Sequence, residues 1–407
     1  MSNASKPTSF SGLGIAPRLL DILTRHKFDT PTPIQAKAIP AALEGKDLIG
    51  IAQTGTGKTL AFGIPMIQSI AQAKGSGLVV LPTRELAHQV DEALHKIGRE
   101  LGLRTALLIG GASFNEQMRA ISKNPHIIIG TPGRINDHLE RKTISLDKVS
   151  IVVLDEADRM LDMGFLPQIR RIISRLPKAR QTMLFSATMP DDIVRIATEY
   201  MKLPFRVEIA RPGSAPEKVD QELFVLDRED KIHLLKKILE EYRGSILIFI
   251  RTKHGARKVC KQIRDMGHSV AEIHSDRSLA QRRAALEGFK TGGHRILVAT
   301  DIASRGIDVK GIELVLNYDI PENPEDYVHR IGRTGRAGAP GRAISFVTPD
   351  QKRAVRDIER LLQTFIMISK MPELPGRPRR EFRTSPEAAR PHSRFHPRRQ
   401  GYFRSRR

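Results

Sequence analysis

Of the 407 residues none is tryptophan and only one is cysteine. A lone Cys260 forms no internal disulfide and has no C-x-x-C companion for a metal site, which points to a reducing compartment. It reads as a small, half-buried apolar residue. No apolar run reaches the length of a bilayer span, and the opening MSNASKPTSF lacks the basic-then-apolar order of a secretory signal. A soluble, cytoplasmic protein with no membrane partner is expected. Aromatic residues make up 5%, which argues against a platform of stacked rings in the folded part. The absence of any short-period repeat excludes solenoids and propellers.

Basic charge, by contrast, is abundant: 67 Lys plus Arg face 45 Asp plus Glu, a formal net charge of +22. A charge of this size points to a polyanion, nucleic acid first. Its distribution is uneven. Between Met371 and Arg407 there are eleven arginines, no lysine and three glutamates, so 11 − 3 = +8 falls on the last 37 residues. This stretch is rich in proline and nearly free of aliphatic residues, and it cannot bury enough apolar surface to offset its ordering entropy. A disordered arm is expected there. Phe382, Phe395, Tyr402 and Phe403, scattered among its arginines, suit either stacking on bases or simple solvation.

Over the whole chain, 40% hydrophobic and 28% charged residues are ordinary for globular domains, and the length suggests two or three of them. Short apolar, β-branched runs recur between longer helical-period stretches. The first series is Asp47–Ala52, Gly77–Leu81, Ile127–Gly130, Ile151–Leu154 and Thr182–Phe185, and the alternation stops near Phe205. After Pro- and Gly-rich residues 210–217 it restarts with Ser245–Ile250, Ser269–Ile273, Arg295–Ala299, Glu313–Tyr318 and Arg342–Val347. Strands alternating with helices predict parallel sheets covered on both faces, with ligands at the carboxyl ends of the strands. The expected division is a domain over 1–209, a linker over 210–217, a second domain over 218–368 and the tail over 369–407.

Two motifs carry chemistry. After the first strand comes Gln53-Thr54-Gly55-Thr56-Gly57-Lys58-Thr59, followed by an apolar helical stretch. Glycines there let successive N–H groups and a helix N-terminus point at phosphate oxygens. Lys58 then reaches the β- and γ-phosphates, and the Thr59 hydroxyl ligates Mg²⁺. Ala52 stands where the strict pattern has its first glycine; incidental glycines at a helix start are the plainer alternative. The second motif is Ile151-Val-Val-Leu-Asp155-Glu156-Ala157-Asp158, an apolar strand that delivers acids at its end. Asp155 suits Mg²⁺ held through water, and Glu156 suits the attacking water. An acidic helix cap would explain one of these acids and leave the others without a role.

With that pair, Pro82-Thr-Arg-Glu-Leu-Ala87, Gly110-Gly111, Thr131-Pro-Gly-Arg134, Ser186-Ala-Thr188, Thr300-Asp301 through Arg305-Gly306-Ile307-Asp308, and His329-Arg-Ile-Gly-Arg-Thr-Gly-Arg336 closely resemble the ordered motifs of DEAD-box RNA helicases. The likeness runs from about Phe10 to about Thr364 and is greatest to the bacterial RhlE-type subgroup. It implies an α/β fold of two tandem RecA-like parallel-sheet domains joined by a short linker. For the ATP site it implies Phe28, Gln35, Thr54, Gly55, Thr56, Gly57, Lys58, Thr59 and Asp308. A glutamine amide donates and accepts at once, which fits the N6/N7 edge of adenine. Lys27 stands where the family usually has glycine, so altered local geometry is expected.

For hydrolysis the resemblance implies Lys58, Asp155 and Glu156 from the first domain. Arg333 and Arg336 would be arginine fingers from the second, a role that suits a planar, always charged fork. Asp158, Ser186, Thr188 and His329 would couple nucleotide, RNA and domains. Arg84, Gly111, Thr131 and Arg134, with Thr252 and Thr300, would line an RNA track that reads backbone and not sequence. Ser275 and Leu279 replace the family's usual glycine and glutamine, a departure expected to weaken an RNA-side or linker contact.

The expected function is that of a monomeric RNA helicase, hydrolysing ATP with Mg²⁺ to separate RNA strands locally. Ribosome assembly and RNA decay are compatible settings, with ribosomal precursors or decay proteins as partners. An ATP-gated RNA clamp with little unwinding is the alternative, and a DNA translocase or a structural ribosome-associated protein are further rivals.

Overall fold

The computed structural model describes residues 9–52, 55–73, 75–209, 219–301, 309, 311–335 and 340–374. The expected linker, 210–217, and residues 375–407 of the expected tail lie outside them.

Seven parallel strands form the first sheet: β1 (Leu48–Ile51), β2 (Ser76–Val80), β3 (Thr105–Leu108), β4 (Ile127–Gly130), β5 (Val149–Leu154), β6 (Gln181–Ser186) and β7 (Phe205–Glu208), in the order β3-β4-β2-β5-β6-β1-β7. Successive residues of a strand point to opposite faces, and two apolar layers follow. Leu48, Val79, Ile129, Val153 and Phe185 pack under α1 (Pro17–Arg25), α2 (Pro33–Leu43), α3 (Lys58–Gln72) and α4 (Arg84–Gly98). Ile49, Val80, Ile128, Val152 and Leu184 pack under α6 (Pro132–Glu140), α7 (Ala157–Asp162), α8 (Leu166–Ile173) and α9 (Asp191–Tyr200). A further helix, α5 (Phe114–Ile121), lies beside β3.

The second sheet repeats the plan with β8 (Val219–Val225), β9 (Ile246–Phe249), β10 (Val270–Ile273), β11 (Ile296–Ala299), β12 (Leu314–Asn317), β13 (Gly341–Val347) and β14 (Met367–Ile368), in the order β10-β11-β9-β12-β13-β8-β14. Its helices are α10 (Lys231–Glu241), α11 (Lys253–Asp265), α12 (Leu279–Lys290), α13 (Pro324–Ile331) and α14 (Lys352–Leu362). Each of the ten apolar runs singled out in the sequence forms a strand. The first alternation does not stop at Phe205, however, because residues 205–208 pair with β1 as an edge strand. Cys260 is 1% exposed, more deeply buried than expected, and burial pushes its thiol up to about 11.

The sheet order has a functional consequence. It sets the ends of β5, β6 and β1 side by side, and those ends carry Asp155-Glu156, Ser186 and the glycine loop. The ends of β2, β4 and β3 occupy the other half and launch Arg84, Thr131-Arg134 and Gly110-Gly111. Candidate nucleotide and RNA residues are thereby sorted onto two halves of one sheet.

Candidate functional site

The glycine loop ends in a tight left turn. Gly55 has φ 83 and Gly57, the N-cap of α3, has φ 94. A Cβ on Gly57 would lie 2.5 Å from Gln35 Nε2 and 2.9 Å from Thr32 Oγ1, so glycine is required both by φ and by space. Gln35 is 3% exposed; its Nε2 donates to Gly57 O at 2.9 Å, and its Oε1 accepts from Thr32 N at 2.9 Å. The amide keeps one N–H and one lone pair for a ligand edge. Phe28 is half-buried, with the Lys96 ammonium 5.7 Å from its ring centre.

Lys27 precedes that ring at φ 60. The N–H of Phe28 donates to Leu23 O and that of Lys27 to Thr24 O, both at 2.9 Å, which is the Schellman ending that usually holds glycine. The expected altered geometry is therefore absent. The turn keeps its left-handed form with a lysine in it.

Lys58, 5% exposed, donates from Nζ to Ala52 O at 3.1 Å and stands 3.5 Å from Glu156 Oε1 and 4.0 Å from Asp155 Oδ1. Glu156 takes a left-handed backbone, φ 54 and ψ 48, at the start of α7. Burial pushes Asp155 up to about 6 against the pull of Lys58. The same burial acts on Glu156, but Arg159 first, then Lys58 and Arg333, hold its carboxyl well below the ordinary range. Glu156 is accordingly the firmly ionised member of the pair, since cations stand at 2.6 and 3.5 Å from its two oxygens.

Asp158 is tied to the end of β6. Its N–H donates to Ser186 Oγ at 3.2 Å, and its Oδ2 accepts from Ala187 N, Thr188 N and Thr188 Oγ1 at 3.0, 2.8 and 2.9 Å. Three of the expected coupling residues thus form one hydrogen-bonded group.

The second domain reaches this group through Arg159, which the sequence reading missed. Its Nη1 lies 2.6 Å from Glu156 Oε2, and its Nη2 donates to His329 Nδ1 at 2.9 Å. Burial, with Arg159 next, pushes His329 down to about 3, so the ring is neutral and accepts. Arg333 is 3% exposed. Arg330 grips Asp301 with two hydrogen bonds of 2.6 Å and also donates to Asn317 Oδ1 and Asp319 O. A second bridge joins Arg282 Nη2 to Glu85 Oε2 at 3.0 Å. The sequence signal for both bridges was weak, because each pair is far apart along the chain. Thr54, Asp308 and Arg336 lie outside the described residues.

On the other half of the sheet, Arg84 lies against Gly110 and Gly111. A side chain at Gly111, φ 76, would collide with its guanidinium. Arg134 stands 3.5 Å from Asp137 and 5.9 Å from the centre of the Phe114 ring, whose face is stacked on His138 at 4.5 Å. Thr131 starts α6, and Thr252 starts α11, where its Oγ1 accepts from Gly255 N at 3.0 Å. β9 and β11 are adjacent, and Thr252 and Thr300 follow their ends.

Comparison with known proteins decides the family. Residues 32–196 match the DEAD/DEAH box helicase family and residues 230–338 the helicase conserved C-terminal domain. The chain belongs to the DEAD-box helicase family. A DEAD-box ATP-dependent RNA helicase, CshA of Bacillus cereus, is 46% identical over 356 residues, 87% of this chain and 68% of the relative. Among solved structures, S. cerevisiae Dbp5 bound to RNA and ADP BeF3 aligns with a TM-score of 0.81 at 32% identity, covering 89% of this chain and 96% of that one. Mss116p bound to ssRNA and AMP-PNP aligns with a TM-score of 0.83 at 29% identity, covering 92% and 81%. As in other DEAD-box chains, the fold is a pair of RecA-like domains.

A nucleotide fits this DEAD-box site on the chain's own geometry. A buried lysine, a left-handed glycine and the start of a 15-residue helix converge on one place, as a phosphate chain requires. Among the described residues no three His, Cys, Asp or Glu side chains are grouped to hold a metal. Magnesium ordinarily takes one or two carboxylates and completes its shell with water and phosphate. Asp155 and Thr59 are the residues that would serve it.

Proposed function

We propose that this chain is an ATP-dependent RNA helicase whose two domains close on ATP and single-stranded RNA and so separate short RNA duplexes. The observation that carries the reading is the buried charged group of Lys58, Asp155, Glu156 and Arg159, which is joined to the second domain at His329. Bound ATP with Mg²⁺ supplies the phosphoanhydride to be cleaved. Lys58 neutralises its phosphates, and Asp155 and Thr59 serve the metal. Glu156, held ionised, orients the attacking water, and Arg333 with Arg336 neutralises charge spreading on the γ-phosphoryl group. Hydrolysis then depends on closure, because acid and arginines come from different domains.

RNA is proposed to run over Arg84, Gly111, Thr131 and Arg134 and on to Thr252 and Thr300. Contacts of this type read phosphate and 2′-hydroxyl. The domain division at 210–217, a monomeric state, a cytoplasmic location, partners from ribosome assembly or RNA decay, and the RhlE-type placement belong to the same reading. The motif set supports the RhlE-type placement, the Pro- and Gly-rich composition of 210–217 the domain division, and the basic charge the partners that contain RNA. No helix among the described residues is long and apolar enough to cross a membrane.

The test measures phosphate release and the separation of a labelled duplex with RNA or DNA of the same sequence. Stimulation by RNA together with strand separation is expected. Release without separation would favour the clamp, and equal stimulation by DNA would favour the translocase.

A further inference from the structure

Arg159 is 1% exposed, and its guanidinium spans the gap between the domains. It lies in the first turn of α7, three residues after Glu156, and its side chain reaches back to that carboxylate. Its Nη1 is 2.6 Å from Glu156 Oε2 without the alignment of a hydrogen bond, whereas Nη2 donates to His329 Nδ1 at 2.9 Å. A guanidinium is flat, and two arms fixed at different points set its plane; with one arm it can turn about its own bonds. The orientation of the Arg159 plane therefore depends on a residue of the second domain. On the other side, Glu156 starts from a left-handed backbone that costs an L-residue about 1 kcal/mol or more, so it needs outside contacts to stay in place. Lys58 at Oε1 and Arg159 at Oε2 are among those contacts.

The geometry points to Arg159 as a positioning residue that makes the aim of the Glu156 carboxylate conditional on the docking of His329. Closure then does two things at one joint. It brings Arg333 into the site, and it fixes the second arm of Arg159 so that the carboxylate faces the water. Misplacement of a reacting group by about 1 Å costs up to about 100-fold in rate, so a loosened Arg159 is felt in hydrolysis before it is felt in binding. The inference rests on the reading of Glu156 as the group that orients water.

The test is a double-mutant cycle in the full chain with Arg159→Gln, His329→Gln and the pair. Single-turnover hydrolysis is measured at saturating ATP and RNA. Closure is followed separately, by energy transfer between dyes on α9 and α11. Arg159→Gln is expected to slow hydrolysis about 30-fold while closure needs no more than about threefold more RNA. His329→Gln should cost about tenfold in the parent chain and less than about twofold beside Arg159→Gln. Arg159→Lys, which keeps charge and loses the fork, should not restore the rate. Additive losses, loss of closure in step with hydrolysis, or an unchanged rate would each overturn the inference. Where circular dichroism finds Arg159→Gln unfolded, the same cycle is run with Arg159→Lys under the same criteria. Unimpaired turnover in Glu156→Gln would instead remove the underlying reading.

Discussion

Arg282, in the first turn of α12, places Nη2 3.0 Å from Oε2 of Glu85, in the first turn of α4, with the two side chains 12% and 8% exposed. The pair joins the two domains, and Leu279 beside it packs on the apolar cluster of the first domain. Leu279, one of the departures from the family pattern, thus supplies an apolar contact between the domains. Removing either partner of so enclosed an ion pair leaves the other charge stranded. Arg282→Ala or Glu85→Gln is expected to raise the RNA concentration for half-maximal ATPase by about tenfold, equal to about 1.4 kcal/mol of closure. An RNA titration with an unchanged midpoint would dismiss the bridge.

Glu156→Gln is expected to keep ATP and RNA binding within about threefold and to lose steady-state turnover by about 100-fold or more, since it keeps the shape and removes the charge proposed to orient water. Equilibrium binding and phosphate release, measured side by side, decide it.

The left-handed Lys27 makes a local prediction. Lys27→Gly should leave stability within about 1 kcal/mol or raise it, while Lys27→Val should lower it by more than about 1 kcal/mol, because a β-branched residue resists positive φ. The chain has no tryptophan, so denaturation is best followed by circular dichroism. Equal effects of the two substitutions would mean that the turn is not maintained.

His88 is pushed down to about 4 by burial and by Arg283 across the domain gap. Glu85, Asp91 and Glu92 of α4, Glu116 of α5, and Glu287 and Lys290 of α12 line the same two cavities, of about 670 and 330 Å³. A histidine whose folded pKa lies below its unfolded value of 6.5 contributes stability that is present above 6.5 and lost as pH falls toward 4. Part of the depression comes from the other domain, so acid should favour opening. Energy transfer between the domains is expected to fall from pH 6.5 to 5, and His88→Asn should flatten that fall.

Deleting residues 371–407 removes a net charge of +8. RNA affinity should drop, and the slope of its dependence on log salt should lessen by about 0.7 for each phosphate that the arm no longer neutralises, with basal ATPase spared. Parallel salt titrations of full and shortened chains give the answer; identical slopes would leave the arm without this task.

The fold was legible wherever strands are buried on both faces, because such strands are continuous apolar runs. The unread strands lie at or near sheet edges. β3 alternates half-buried and buried residues, and three of the four residues of β7 are exposed. β14 has only two residues, and β8, beside it, is mostly polar in its first half. Local motifs revealed Lys58, Asp155 and Glu156, since each stands beside the element that positions it. Arg159 was not legible in this way: its partner His329 is 170 residues away, and only the packing of the two domains brings them together. The left-handed backbone of Glu156 was equally hidden, because nothing in the residue type announces it.

One hydrogen bond divides the first domain's two halves and also unites them. The N–H of Asp155 donates to Val80 O at 3.1 Å, so the acid proposed to serve the metal hangs directly from the strand that leads to Arg84. Through the β2–β5 ladder the proposed nucleotide and RNA residues form a single stiff body. An isolated first domain would therefore bind the two ligands as independent events, each indifferent to the other's presence. Cooperativity has to be a property of the gap between domains, and it would vanish on cutting the chain between them even if each half kept its own structure intact.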